Sequence, residues 1–486
     1  MRWAVLDANE MAAEWRGILS SVVSQWLAWE IDQHDTAQRV DDPSRADVVL
    51  LAHSGSMDFS RACRRELRRV GLSPDPAARD GSPLVVTGGA VDSTPRTALS
   101  IADVLAVGEA YQFIRTALSI SSAQRLLAWA DGYQHAITRR QFDSSRDADR
   151  PWLMPRQPAP LASPDPWVDW GVPDVRSNDG AVAIVAGKGC HMACTFCATT
   201  YRQTLRERPA ADLIARIRHH TDHSDRPGRG VAVVSNDALH QPGWERVRGR
   251  LAHASLTVME LQDDANMLSL IRQRPRIARV GVEGMSPALR LAFGKPISDA
   301  DLVERLARCH AGRVMTSTFW IHHAPFEQPD DWTLWWRLWD RLHAVIDWGM
   351  HRAKMTAFTP TPPAPLARFL PRQDDLPSRD DILERRTIET DRYGRLLISI
   401  GGQSAGWRQR AAEQYGISAA DLPSGPGTVD MAPSVDDYRR MPHETISWPL
   451  SAERRWGAAE TYRRRLTSPE WRRKASRRRM NVTASA

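Results

Sequence analysis

Over the first 120 residues, apolar positions gather into short continuous runs separated by amphipathic stretches. The order is RWAVLDAN, a helical pattern to about Trp29, ADVVLLAHSGS, a helix through Arg68, PLVVTGGA, ADVLAVGEA and a final helix. Runs that are apolar throughout belong to strands covered on both faces. Their alternation with helical stretches predicts a doubly wound α/β domain. Three runs end in small residues, at Ser54-Gly55-Ser56, Gly88-Gly89-Ala90 and Gly108-Glu109-Ala110. Ligands of such sheets sit at the carboxyl ends of the strands, where small residues let the backbone approach closely.

Residues 150–178 are so rich in proline that neither a helix nor a central strand is expected there, and they read as a linker. A second alternation begins at Ala181: AVAIVAG, a cysteine loop, a helix near 208–220, GVAVVSND, a helix near 242–252, SLTVMELQ, a helix near 265–273 and RIARVGVEG. It continues with a helix at 299–310, RVMTSTFWIHH, a Trp-rich helix at 331–348 and MHRAKMTAFTP. Six strand-helix steps of parallel type predict a partial or full barrel with its site at the C-terminal strand ends. The cysteines follow the first strand, Asn236 and Asp237 the second, Glu283 the fourth, and His322 and His323 the fifth. Either histidine meets substrate at the mouth or is satisfied structurally, and both readings stand. Trp332, Trp335, Trp336 and Trp339 recur at helical spacing with Leu338, Leu342, Val345 and Ile346, the pattern of a helix facing core.

The expected layout is therefore a doubly wound, Rossmann-like domain over 1–125, a helix and Pro-rich linker over 126–178, a partial (β/α)6 barrel of TIM type over 179–370, and a small C-terminal α+β region over 371–486. That last region has one clear strand, RLLISIGG, and a helix around 405–415.

Composition changes this picture little: 42% hydrophobic and 25% charged residues are ordinary for a globular protein. No segment approaches the apolar length that spans a bilayer, and the N-terminal MRWAVLDANE carries charges where a signal peptide needs its apolar stretch. A cytoplasmic location without a membrane partner is the expectation. The net charge of +7 is concentrated in residues 453–479, where eleven Lys and Arg face three Glu. This basic tail is either a solvated helix end or a binding surface for phosphate and hence nucleic acid.

Five cysteines, Cys63, Cys190, Cys194, Cys197 and Cys309, are too few for a disulfide framework in a chain of 486 residues. Three of them stand within the segment GKGCHMACTFC, in C-x-x-x-C-x-x-C spacing. Crowded thiolates repel one another unless a cation holds them, which points to a metal or cluster. Three thiolates on three irons of a [4Fe-4S] cube leave the fourth iron open. A zinc site of the three cysteines with His191 is the alternative, although structural zinc sites usually draw paired ligands from two separated segments. Cys63 and Cys309 fall on helical stretches and read as buried and inert.

With Phe196 before the last cysteine, the segment resembles the C-x-x-x-C-x-aromatic-C signature of the radical S-adenosylmethionine superfamily. The resemblance implies that Cys190, Cys194 and Cys197 hold the cluster, that S-adenosylmethionine chelates its open iron, and that an external donor of flavodoxin or ferredoxin type reduces it. The segment RVGVEGMS is similar to the family's fourth-strand G-x-E-x-x-S element, which places Glu283 on the cofactor's ribose. LRLAFGKPISDADL, FWIHHAPFEQPDDW and FTPTPPAPL are similar to stretches of the cobalamin-dependent members. Where the family usually has a small G-G-E element, this chain has SNDALH, closer to the cobalamin branch, with Asn236 and Asp237 placed to meet the methionyl amine.

The strand ends of the first domain resemble those of cobalamin-binding domains. The resemblance assigns cobalamin to Ser54, Gly55, Ser56, Gly88, Gly89, Gly108 and Glu109. A D-x-H-x-x-G lower-ligand motif is not met, because Asp32-Gln33-His34-Asp35-Thr36-Ala37 lacks the glycine, so no histidine on cobalt is implied. The function implied is methylation of an unactivated carbon of a small-molecule or nucleotide substrate, through a 5′-deoxyadenosyl radical and methylcobalamin. Rearrangement, cyclisation or nucleic-acid modification on the same frame are the alternatives, and an iron-sulfur nucleic-acid-binding protein is the reading from a different class.

Overall fold

The computed structural model describes residues 1–8, 22–52, 59–79, 83–88, 98–108, 110–144, 152–153, 182–202, 205–222, 231–235, 238–239, 251–322, 324, 329–346, 350–357, 364–366, 388–390, 396–398, 446–447, 461 and 464. The expected helix around 405–415 lies outside these residues, as does all of the helix expected near 242–252 before Leu251.

The first sheet has six strands: β1 Arg2–Asp7, β2 Gln38–Arg39, β3 Val48–Ala52, β4 Leu84–Gly88, β5 Val104–Ala106 and β6 Ala136–Thr138, in spatial order β2-β1-β3-β4-β5-β6. The first five are parallel and β6 closes the edge antiparallel. The order 2-1-3-4-5 is that of a doubly wound sheet, whose switch point falls between β1 and β3.

Successive residues of a strand point to opposite faces, so the strands feed two cores. Trp3, Val48, Leu50, Val86 and Val104 pack with Trp26 and Leu27 of the helix Val22–Asp32 and with Phe113 and Ile114 of the helix Tyr111–Leu118. Leu6, Val49, Leu51, Val85 and Leu105 pack on the other side with Cys63 and Leu67 of the helix Phe59–Arg69. This double coverage accounts for the unbroken apolar run VVLLA in β3, where every residue is buried. Each such Val or Leu stabilises by about 1.5–3 kcal/mol.

Strand β7, Trp152–Leu153, pairs in parallel with the two-residue strand Ile446–Ser447. The second large sheet begins at β8, Val182–Val185. Between it and the next large strand, β9 Gly187–Lys188 and β10 Arg206–Glu207 form a small antiparallel ladder. Parallel strands β11 Val231–Val234, β12 Leu251–Thr257, β13 Ile277–Gly284, β14 Met315–His322 and β15 His351–Ala357 then follow in spatial order from β8. Two antiparallel strands, β16 Ile388–Thr390 and β17 Leu396–Ile398, extend the sheet beyond β15, giving eight strands in all.

The helices between these strands pack their apolar faces into one core, with Leu213 and Ile217, Met267 and Leu270, Leu302 and Leu306, and Trp335, Leu338, Trp339 and Leu342 all buried. The Trp-rich helix runs Pro329–His343, and Trp335 stacks on Trp339 at 5.3 Å while meeting Trp320 edge-on at 6.2 Å. Val345, expected in the buried stripe, lies past the helix end and is 50% exposed. The strand expected from SLTVMELQ differs too: β12 starts four residues earlier and ends at Thr257, and Glu260–Gln262 form a short 3-10 turn. That turn is shaped by Glu260, whose buried carboxylate accepts from the backbone N–H groups of Thr257 (2.7 Å) and Leu239 (2.9 Å).

Candidate functional site

The cysteine loop leaves the C-terminal end of β8 and is closed at its base by the β9–β10 ladder, in which Lys188 pairs with Arg206 and Gly187 with Glu207. Arg208 N–H donates to Ala186 O at 2.8 Å and completes the closure. Gly189 opens the loop at φ 75, a left-handed conformation that glycine adopts without strain. Inside the loop, Thr200 Oγ1 donates to the carbonyls of Cys190, at 3.2 Å, and Met192. Backbone N–H groups aim at two of the sulfurs: Met192 N–H at Cys190 Sγ and Thr199 N–H at Cys197 Sγ, both at 3.4 Å. Such bonds favour the charged thiolate and tune any metal bound to it.

The loop is docked from below by distant parts of the chain. Thr195 donates through its N–H to Phe293 O (3.4 Å) and through Oγ1 to Ala292 O (3.2 Å), at the end of the helix Pro287–Phe293. Leu366 N–H donates to Thr195 O at 3.0 Å, so the last residue of FTPTPPAPL also lands on the cysteine loop. Phe196 meets Phe293 edge-on at 5.0 Å. Gly294, at φ 87, brings its backbone beside Ala193 and Cys194.

Cys194 is buried, whereas Cys190 and Cys197 are partly exposed. Burial chiefly, opposed by Lys295 and aided by Cys197, Glu283 and Cys190, pushes the Cys194 thiol up to about 12. Among the described residues no three His, Cys, Asp or Glu side chains are grouped so as to hold a metal ion. Three thiols on one short loop, two of them accepting backbone N–H bonds, are a donor set that a [4Fe-4S] cluster takes.

Glu283 lies one residue before the end of β13, at a register shift against β14 and with φ 67. For a residue with a Cβ this conformation is uncommon and marks a constrained position. Its carboxylate is held by Lys295, with Oε1 3.1 Å from Nζ, and the same ammonium donates to Gly281 O at 2.9 Å. A Cβ on Gly281 would stand 2.5 Å from Glu283 Oε1 and 2.9 Å from Lys295 Nζ, so a side chain there would displace the pair. Burial pulls the Lys295 pKa down, but Glu283 and the cysteines Cys194 and Cys197 reverse it, and the net direction is up. Lys295 Nζ also lies 5.4 Å from the centroid of the Phe196 ring. Ser286, the serine of the G-x-E-x-x-S element, caps the helix that follows, accepting from Leu289 N–H at 3.2 Å and donating to Asp331 Oδ1 at 2.6 Å.

The structure thus brings together the three cysteines, Phe196 and Glu283. Lys295, Arg290 and Glu260 went unrecognised in the sequence, and the signal available for the first two was the run R-L-A-F-G-K-P, which breaks a helix with Gly294 immediately before a lysine. Asn236, Asp237 and His323 lie outside the described residues, as does the side chain of His322, whose backbone ends β14. Beside Asn236 and Asp237, Ala238 N–H donates to Ser255 O (2.9 Å) and Leu239 to the Glu260 carboxylate.

In the first domain, Ser54, Gly55, Ser56, Gly89 and Glu109 lie outside the described residues. Gly88 ends β4 opposite Ala106 of β5, and a Cβ on it would stand 3.0 Å from Ala106 O, which is a packing requirement for a small residue. Gly108 follows β5 with φ 83. Of the basic tail only Thr461 and Arg464 are described, both helical and exposed. No helix among the described residues is long and apolar enough to cross a membrane.

No family model matches the chain, and no curated protein matches it in sequence. Its structural neighbours are cobalamin-dependent radical S-adenosylmethionine enzymes. One is the radical S-adenosylmethionine methyltransferase TsrM from Kitasatospora setae, with tryptophan substrate and a SAM analogue bound: 11% identity over 75% of this chain and 74% of that one, TM-score 0.47. A second is the cobalamin-dependent S-adenosylmethionine radical enzyme OxsB with aqua-cobalamin bound, at 10% identity over 69% of this chain and TM-score 0.42. The match spans about half of that OxsB chain, 51%. A third, apo OxsB, has 11% identity over 85% of this chain and 65% of that one, TM-score 0.48. At such identities and scores the assignment of roles to residues rests on the chain's own geometry.

Proposed function

We propose that this chain is a radical S-adenosylmethionine enzyme of the cobalamin-dependent branch that methylates an unactivated carbon. The observation that carries the reading is the cysteine loop itself. Its three thiols follow one strand end on a loop that the β9–β10 ladder closes, and two of them accept backbone N–H bonds.

In this reading Cys190, Cys194 and Cys197 hold a [4Fe-4S] cluster, Phe196 packs beneath it, and Glu283 with Asn236 and Asp237 orients S-adenosylmethionine. When bound, these groups supply a reducible centre, a source of 5′-deoxyadenosyl radical and, with cobalamin, a transferable methyl group. The chain supplies the rest. The β9–β10 ladder and the Thr195 contacts hold the loop rigid against the helix end, and the ion pair fixes the carboxylate at the end of β13. Rigid donors keep reacting groups within the narrow distances that such chemistry requires. The C-terminal ends of β3, β4 and β5, with Gly88 and Gly108, are the cobalamin face. The substrate is a small molecule or nucleotide, the electron donor is of flavodoxin or ferredoxin type, and the segment 453–479 is the part that would meet nucleic acid.

The test is anaerobic reconstitution with iron, sulfide and hydroxocobalamin, followed by reduction in the presence of S-adenosylmethionine. Release of 5′-deoxyadenosine and S-adenosylhomocysteine is the expected outcome. Release of 5′-deoxyadenosine alone favours rearrangement or cyclisation over methylation. A protein that binds iron but releases neither product overturns the enzymatic reading in favour of an iron-sulfur binding module.

A further inference from the structure

The short turn Glu260–Gln262 follows β12, on the side of the sheet from which the cysteine loop also leaves, and nothing in the chemistry above uses its side chains. Glu260 is 2% exposed, and its two oxygens are divided between two segments. Oε2 accepts from Thr257 N–H at 2.7 Å, at the end of β12, and Oε1 accepts from Leu239 N–H at 2.9 Å, in the segment that follows β11. Beside it Ala238 N–H donates to Ser255 O at 2.9 Å, and Leu239 and Leu261 are both buried in the core of this sheet. The segment after β11 is therefore seated on this turn.

The same turn is bonded to the elements that carry Glu283 and Lys295. Gln262 Nε2 donates to the carbonyl of Pro296, the residue after Lys295, at 3.1 Å. Val258 N–H, two residues before Glu260, donates at 3.2 Å to Gly281 O, the carbonyl that also accepts from Lys295 Nζ at 2.9 Å. Capping of the helix that follows does not need Glu260, because Asp263 supplies the cap by accepting from Asn266 N–H at 2.9 Å. A buried carboxylate that accepts two N–H bonds holds its donors firmly, and its loss strands both where water does not replace it.

We propose that Glu260 and Gln262 are positioning residues, whose turn sets the spacing between the segment after β11 and the Glu283–Lys295 pair and thereby shapes the seat for S-adenosylmethionine. This rests on the reading of the chain as a radical S-adenosylmethionine enzyme, in which Asn236 and Asp237, directly before Ala238, and Glu283 orient that molecule. Neither positioning residue touches it. Each acts through the backbone that it holds.

The test is equilibrium dialysis of S-adenosylmethionine against oxidised, reconstituted wild-type protein, E260Q and Q262A, with iron counted and amide hydrogen exchange measured in each. E260Q keeps the size of the side chain but replaces one accepting oxygen with a donor, so it cannot hold both segments. It is expected to take up wild-type iron, to exchange faster in the peptide containing Leu239, and to bind S-adenosylmethionine about tenfold more weakly. Q262A is expected to weaken binding in the same direction by less. E260Q with wild-type iron and wild-type affinity overturns the proposal, even where its thermal stability is lowered, since that marks a role in folding alone. So does weaker binding without faster exchange around Leu239. If E260Q takes up no iron, Q262A decides, and an unchanged affinity overturns the idea. Wild-type protein that forms its cluster but binds no S-adenosylmethionine is a separate result, and it sinks the proposed function together with this inference.

Discussion

Arg290 and Asp299 form an ion pair from which solvent is excluded, their side chains being 0% and 2% exposed. The guanidinium also donates to Gly284 O at 3.2 Å and Ile297 O at 3.0 Å. One side chain thereby ties the end of β13 to the helix Asp299–Ala311 and to the turn bearing Lys295.

Breaking a buried pair leaves an uncompensated charge, which costs about 3–5 kcal/mol. R290M should lose stability on that scale in urea unfolding. The double variant R290M/D299L, which removes both charges, should be more stable than R290M alone. If it is not, the cost arises from the lost carbonyl contacts and not from the stranded carboxylate.

The cysteines divide into two classes by environment. C190A, C194A and C197A should each lose the brown chromophore and most bound iron after reconstitution. C63A and C309A should retain both, since Cys63 sits in the core of the first domain and Cys309 packs its sulfur 3.7 Å from Met267 Sδ. Iron loss in C309A at unchanged secondary structure would contradict this division.

Cys309 also predicts a pH effect. Burial pushes its thiol from the usual 9.0 up to about 12, against a smaller downward pull from Arg308. Below pH 9 the thiol is protonated in both folded and unfolded chains and costs nothing. Above pH 9 the unfolded thiol ionises while the folded one stays protonated, so folding stability falls as pH rises towards 12. The slope for one proton is about 1.4 kcal/mol per pH unit. C309A, which loses about 1 kcal/mol of packing at neutral pH, should show a shallower alkaline fall than wild type in unfolding measured from pH 8 to 11.

Three glycines test backbone against space. A Cβ at Gly284 would stand 2.3 Å from Arg290 N, a collision with main chain, so G284A should be severely destabilised. At Gly294 the nearest atoms are 3.6 and 3.9 Å away and the strain comes from φ 87 alone, a cost of about 1–2 kcal/mol. Gly132 has nothing within 4 Å and an ordinary φ at the end of its helix, so G132A should stabilise by about 0.4–1 kcal/mol. Thermal unfolding of the three variants should follow that order.

The strands were legible in the sequence wherever both faces are covered, because VVLLA in β3 and LVVTG in β4 need no partner to declare themselves apolar. Strand β13 was equally plain despite alternating burial, since Ile277–Gly284 is bounded by Arg274 in a left-handed turn and by the Ser286 cap. Val345 was misplaced because helical spacing gives no sign of where a helix stops, and this one ends at His343. Strand β6 went unnoticed because three residues, Ala136–Thr138, carry too little pattern. At the site, the cysteines were visible because their spacing is local. Lys295 and Glu260 were not, because their meaning depends on partners 12 and 21 residues away in sequence, Glu283 and Leu239, that only the fold brings near.

Thr195 reaches Ala292, 97 residues further along, and Leu366 beyond that. During synthesis, the three thiols consequently leave the ribosome long before the seat that steadies them exists. The seat of the proposed cluster loop is therefore complete only once the chain has been made past residue 366.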